Sequence, residues 1–150
     1  LQKLVQRTLD EVATSHPERP IDSTLAGDLA GTWDAERLCQ VITNLVGNAL
    51  HHGSADQPVR IAVDGTRPEE VSITVSNGGT IPAGLLPHLF DPFRGGEREP
   101  GRHQGLGLGL FIAHQIVRAH HGTIEARSHN DVTSFRVTLP RHAPARSPRS

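Results

Sequence analysis

The stretch Arg37-Leu38-Cys39-Gln40-Val41-Ile42-Thr43-Asn44-Leu45-Val46-Gly47-Asn48-Ala49 decides how the rest of the chain is read. Leu38, Val41, Ile42, Leu45 and Ala49 recur at helical spacing and form one apolar stripe. Asp34 stands where an N-cap belongs, and Glu36 suits the positive end of the helix dipole. The helix is expected to stop near Gly53. Asn44 and Asn48 fall about a quarter turn from the stripe, with Arg37 and His51 on the same flank. The helix therefore buries one side and carries a polar row at the margin of the core. Amide oxygens in such a row are hard ligands of the kind Mg²⁺ accepts, because that ion takes few protein ligands and keeps water and phosphate in its other positions. Taken alone, an Asn pair at this spacing is more commonly a solvated helix face.

Further along comes Gly105-Leu106-Gly107-Leu108-Gly109-Leu110. Glycines at alternate positions let peptide groups approach an anion without Cβ atoms in the way. A helix expected from about Leu108 to His120 would aim its free N–H groups at that anion. Its inward residues read as Leu108, Ile112, Ile116 and Ala119. A flexible linker would not alternate Gly with Leu and run directly into an amphipathic helix. No Gly-Lys-Ser/Thr follows, and no strand pattern leads directly into the run, so neither a P-loop nor a dinucleotide-binding turn is indicated.

Outward from these two segments, Leu1, Leu4, Val5, Thr8, Leu9 and Val12 predict a helix to about Ser15, ended by Pro17 and Pro20. Ile21 to Trp33 reads as two short strands around Gly27. Val59, Ile61, Val63 and Val71, Ile73, Val75 alternate as strands, with a turn over Asp64 to Pro68. The chain from Asn77 to Gln104 reads as a loop with a short helical turn around Leu85 to Leu89; so long a connection is often functional. Two strands close the chain, near Thr123 to Arg127 and Ser134 to Leu139. This order predicts an α+β fold with helices layered on one face of a sheet.

Val75-Ser76-Asn77-Gly78-Gly79-Thr80-Ile81-Pro82 ends a strand, presents a polar side chain and opens a gap with glycines. Asn77 can both donate to and accept from the edge of a flat ring. An ordinary Asn-Gly turn explains the same residues equally well. Phe90-Asp91-Pro92-Phe93 places two aromatics beside a loop rich in Gly, Arg and Glu. Phenylalanines so spaced usually anchor a loop to the core.

The bulk numbers bound the rest. A chain of 150 residues is one domain by length and can bury a core. A net charge of -1 creates no field to draw nucleic acid or an anionic membrane. One cysteine, Cys39, excludes an internal disulfide and fits a reducing, cytoplasmic setting. No apolar run approaches the roughly 20 residues that cross a bilayer, so no direct membrane contact is expected. The 10 histidines include adjacent pairs without metal-ligand spacing, which argues against structural zinc. The absence of any methionine suggests a piece of a longer protein. Residues 1–140 read as the folded unit, and 141–150 as a disordered basic tail.

These segments, in this order, resemble the GHKL ATPases, and specifically the catalytic ATP-binding domain of bacterial sensor histidine kinases. Arg37 to His52 is similar to the N box, Asn77 to Pro82 to the G1 box, Phe90 to Phe93 to the F box and Gly105 to Leu110 to the G2 box. The resemblance covers about Leu4 to Pro140. It implies a Bergerat fold, a two-layer α/β sandwich of a mixed sheet with helices on one face and a short ATP lid. It implies ATP and Mg²⁺ as cofactors, with Asn48 as the metal ligand and Asn44 as the catalytic polar neighbour of the phosphates. His51 would lie near the phosphates too. Asn77 would read adenine, with Gly79 and Ile81 beside the ring and Thr133 close by. Phe93 and Arg94 would open the lid, which runs to Gln104. Gly105, Leu106, Gly107, Leu108, Gly109 and Leu110 would line the phosphate cradle.

The implied reaction is transfer of the ATP γ-phosphoryl to a histidine on an upstream dimerisation domain, a domain expected to lie before Leu1 because no His here is followed by Asp or Glu. A response regulator receiver domain is the further implied partner. The chain departs from the family pattern at Asn77, where Asp is usual, at His51, where Lys is usual, and at Val132 and His121, where Gly is common. The G1 box is also one residue short before Ile81, and the lid is short. Those departures motivate a second expectation, a degenerate nucleotide-sensing module with little kinase turnover, or one whose main output is phosphatase activity. Asn44 stands where related ATPases place a water-activating Glu, and an amide cannot act as that base.

Overall fold

The computed structural model describes residues 1–52, 57–91 and 104–142. Among them, helices α1 (Gln2–Ser15), α2 (Ala35–His52) and α3 (Gln104–Ala119) cover one face of a five-stranded sheet. The strands are β1 (Ile21–Gly27), β2 (Val59–Gly65), β3 (Glu70–Gly78), β4 (Thr123–His129) and β5 (Val132–Pro140), in the order β1-β2-β3-β5-β4. β1 runs parallel to β2, and every other pair is antiparallel, so the sheet is mixed. This is the two-layer α+β sandwich that the resemblance implies.

Strand alternation builds the sheet's half of the core. Val59, Ile61 and Val63 are buried while Arg60, Ala62 and Asp64 are exposed. Register places Ile61 opposite Val75 and Val63 opposite Ile73; Val75 then faces Phe135 and Ile73 faces Val137. Continuous apolar rows result, and each fully buried side chain contributes about 1.5–3 kcal/mol. Against them lies α2, with Leu38, Val41, Ile42, Leu45, Val46 and Ala49 all buried. Its apolar face is broad because α1 and α3 flank it while β2 and β3 lie beneath. Asp34 caps it as expected: its Oδ1 accepts the Arg37 N–H at 3.1 Å.

Several expectations are corrected. A single strand, β1, replaces the two expected between Ile21 and Trp33. Gly27 ends it at φ +75°, where a Cβ would come within 2.5 Å of the Gly65 carbonyl carbon. Beyond it the chain is tied to the last residue of β5 and the one after it instead: the Thr32 N–H donates to Arg141 O at 2.7 Å, and the Trp33 indole N–H to Pro140 O at 2.9 Å. Helix α3 begins at Gln104 rather than near Leu108. Leucines alternating through the glycines, with no proline, extend the helical ladder backwards despite a cost of about 1 kcal/mol per Gly. The inward face of α3 is Leu110, Ala113, Ile116 and Val117, whereas Leu108 and Ile112 are half-buried and Ala119 is exposed. Packing against both α2 and β4 rotates the buried stripe from the one periodicity suggests. The expected stop of α2 at Gly53 lies outside the described residues.

Arg141, expected to start a tail, is anchored. Its guanidinium donates to the carbonyls of Asp28, Ala30, Gly65, Arg67 and Pro68 at 2.6–3.0 Å. The ordered chain therefore extends past Pro140, because one arginine binds four loop carbonyls and that of Gly65 at the end of β2. Residues 143–150 lie outside the described part.

Candidate functional site

The site is built where α2 meets α3. Asn44 Nδ2 donates to Gly109 O at 3.1 Å, across 65 residues of chain. A carbonyl can only accept, so the amide nitrogen must face α3 and Oδ1 must turn away from it. Asn48, one turn later on the same flank, is buried with 8% of its surface exposed. A Cβ at Gly109 would meet Asn44 only at 3.8 Å, an ordinary contact, so packing does not demand glycine there. Gly105, Leu106 and Gly107 lie in the first turns of α3, and the N–H groups of a helix's first turn have no intrahelical acceptor. Leu108 is half-buried and Leu110 is a core residue. His51 and Arg37 are both exposed on α2.

The second wall is the end of β3. Asn77 is 7% exposed, and its Nδ2 donates to Gly78 O at 2.8 Å, which orients its amide as well. Gly79 adopts φ +118°, a conformation that favours glycine. Its N–H donates to Asp131 O at 2.8 Å, and its carbonyl accepts the Thr133 hydroxyl at 2.9 Å. The Ile81 N–H donates to Ser128 Oγ at 2.7 Å, and Ser128 Oγ lies 3.0 Å from Thr133 Oγ1. The loop 79–81 is thus fastened to the β4–β5 hairpin, whose two-residue turn holds Asn130 and Asp131 at φ +53° and +63°. Val132 pairs with Gly78 in regular β5 and is 46% exposed.

Phe90 stacks on the His114 ring of α3, with centroids 5.2 Å apart, and meets Phe135 edge-on at 6.2 Å. It anchors the loop after β3 to the core, as its composition suggests. Phe93 and Arg94 lie outside the described residues. Reading the sequence missed Ser128 and His114. The signal for Ser128 was present: it continues the inward alternation of Ile124 and Ala126, an unusual place for a hydroxyl without a partner.

The donor set can be tested against Mg²⁺. Among the described residues, no group of three or more His, Cys, Asp or Glu could hold a metal. The amides of Asn44 and Asn48 supply neutral oxygen donors instead, compatible with an ion that takes most of its ligands from phosphate and water.

Residues 33–143 match the family described as histidine kinase-, DNA gyrase B- and HSP90-like ATPase. A bacteriophytochrome of Pseudomonas aeruginosa is 31% identical over 142 residues, covering 93% of this chain and 19% of that protein. A sensory histidine kinase/phosphatase, NtrB, of Rhizobium leguminosarum bv. phaseoli is 38% identical over 123 residues, covering 70% of this chain and 30% of that protein. The chain thus spans less than a third of these relatives' length. The solved catalytic domain of histidine kinase ThkA superposes with a TM-score of 0.78 at 26% identity, covering 95% of each chain. No helix among the described residues is long and apolar enough to cross a membrane.

Proposed function

The chain belongs to the histidine kinase-, DNA gyrase B- and HSP90-like ATPase family, as an ATP-binding catalytic domain of the sensor histidine kinase kind, and from that premise we propose how its residues work. Asn77, Gly79, Ile81 and Thr133 form the wall that meets adenine. Asn44 and Asn48 stand beside the triphosphate, with Asn48 as the amide ligand of Mg²⁺. The first turn of α3, with Gly105, Leu106 and Gly107, directs backbone N–H groups at the phosphates, and Leu108, Gly109 and Leu110 continue the helix behind it. His51, Phe93 and Arg94 complete the surroundings of the nucleotide.

The observation that carries this reading is the Asn44–Gly109 hydrogen bond. It joins the amide-bearing helix to the glycine-rich helix, so that the two segments carrying the amide row and the glycine run meet in the fold. Mg²⁺, when bound, would neutralise charge on the phosphate oxygens. The reaction is phosphoryl transfer: an imidazole nitrogen bonds to the γ-phosphorus as the bond to the ADP oxygen breaks. Neutral imidazole is a competent nucleophile, so the protein's share is positioning and charge stabilisation. Asn44 cannot serve as a base toward water, which favours transfer over hydrolysis. The acceptor would be a histidine on a helical dimerisation domain, the next partner a response regulator receiver domain, and the setting cytoplasmic.

Titration with ATP, with and without Mg²⁺, tests the binding site. Incubation with a supplied acceptor domain and γ-labelled ATP tests the transfer. Acid-labile label on the acceptor is the expected result. Tight ATP binding with no transfer to any acceptor histidine would refute the kinase reading and leave a nucleotide-sensing module.

A further inference from the structure

The contacts behind loop 79–81 have a direction. Thr133 has one hydroxyl proton, and its bond to the Gly79 carbonyl at 2.9 Å uses it, since a carbonyl cannot donate. The 3.0 Å contact between Ser128 Oγ and Thr133 Oγ1 must therefore run from Ser128 to Thr133. Ser128 Oγ in turn accepts the Ile81 N–H at 2.7 Å. The chain of donors is Ile81 N–H to Ser128, Ser128 to Thr133, Thr133 to Gly79 C=O. It starts and ends on the same three-residue loop and passes through two strands. Each hydroxyl both donates and accepts, so the bonds polarise one another in a single sense.

Resting on the nucleotide-site reading above, we propose that Ser128 is a positioning residue for the purine: its hydroxyl closes a one-way hydrogen-bond circuit that holds Gly79 and Ile81 at the height the ring requires. Ser128 needs no contact with the nucleotide to do this. The circuit also leaves Thr133 without a proton for the ligand, so Thr133 acts on the base through Gly79 and through its own bulk. Removal of the Ser128 hydroxyl strips the Ile81 N–H of its acceptor and Thr133 of its donor together. The loop then loses its fixed height while the phosphate side, built on α2 and α3, is untouched.

The test compares the unaltered chain, Ser128→Ala and Ser128→Thr, with ATP and inorganic tripolyphosphate as ligands, each with Mg²⁺, by calorimetry and with melting followed in parallel. Ser128→Ala is expected to weaken ATP binding about tenfold, the scale of one or two lost hydrogen bonds, and to change tripolyphosphate binding by less than about twofold. Ser128→Thr, which keeps the hydroxyl, is expected to hold ATP affinity within about twofold. With an acceptor domain, Ser128→Ala should raise KM for ATP and leave kcat at saturation unchanged. Unchanged ATP affinity in Ser128→Ala would overturn the proposal, as would an equal loss for tripolyphosphate, which marks a general structural role. If the unaltered chain bound tripolyphosphate but showed no preference for ATP, the adenine wall itself would be wrong, and this inference with it.

Discussion

Asn44 on α2 donates its amide hydrogen to the carbonyl of Gly109 on α3 at 3.1 Å. The pairing sets which atom of Asn44 remains for a ligand, and it ties the two helices together at the site. Asn44→Asp removes the donor and sets a carboxylate against a carbonyl. Stability should fall by about 1–3 kcal/mol, read as a lower urea midpoint, with weaker ATP binding. A variant as stable as the unaltered chain would show that this bond does not tie the helices together.

Asn48 is expected to act on magnesium rather than on the fold. Asn48→Ala should melt within a few degrees of the unaltered chain. ATP titrations run with Mg²⁺ and with EDTA should then give nearly the same affinity, whereas the unaltered chain should bind ATP more tightly with the ion. A preserved magnesium effect would remove Asn48 as the ligand.

His121 occupies a position made for glycine. It sits at φ +65° just past α3, with its N–H on Arg118 O at 2.9 Å and the next N–H, of Gly122, on Val117 O at 2.9 Å. This is the paired bond pattern that ends many helices with a left-handed residue. His121→Gly should therefore raise stability by about 1 kcal/mol, seen in the denaturant midpoint and without change in ATP affinity. Gly122 is different: a Cβ there would collide with the Thr138 carbonyl oxygen, so Gly122→Ala should destabilise.

Arg141 ties four loop carbonyls and that of Gly65 in β2 to the end of β5. Arg141→Ala should cost about 1.5–3 kcal/mol, the range for a hydrogen bond that involves a charged group. Truncation after Pro140 should reproduce that loss, and truncation after His142 should not. Equal stability of the two truncations would refute the anchor.

The Asp64 carboxyl is held below its ordinary value of 3.8, first by the Thr66 hydroxyl at 2.7 Å and then by the Thr66 N–H at 2.9 Å. A lowered carboxyl stabilises the fold above its unfolded titration, and that contribution disappears as pH falls through the folded value. Thr66→Val should move the Asp64 titration upward in an NMR pH series. The stability gap between Thr66→Val and the unaltered chain should close in acid below the usual carboxylate range.

Much of the fold was legible from local pattern. The alternation of Val59, Ile61 and Val63 named β2, and the stripe from Leu38 to Ala49 named α2 and its buried side. The Asp34 cap could be read because a cap acts within three residues of itself. Errors arose where a distant partner overrode local preference. The face of α3 turned toward Leu110, Ala113 and Val117 because two elements pack on it. The second strand after Gly27 did not form because Thr32 and Trp33 found partners at Arg141 and Pro140.

The candidate site divides the same way. Its residue types at Asn44, Asn48, Asn77 and Gly105 to Gly109 were in the sequence, since amide donors and Cβ-free backbone are properties of the residues themselves. Their meeting was not. Whether Asn44 faces Gly109, which proton of the Ser128–Thr133 pair goes where, and what fills the Arg141 guanidinium depend on atoms far apart in the chain. Periodicity reports which side of an element is apolar, but only the packed sheet and helices decide what that side touches.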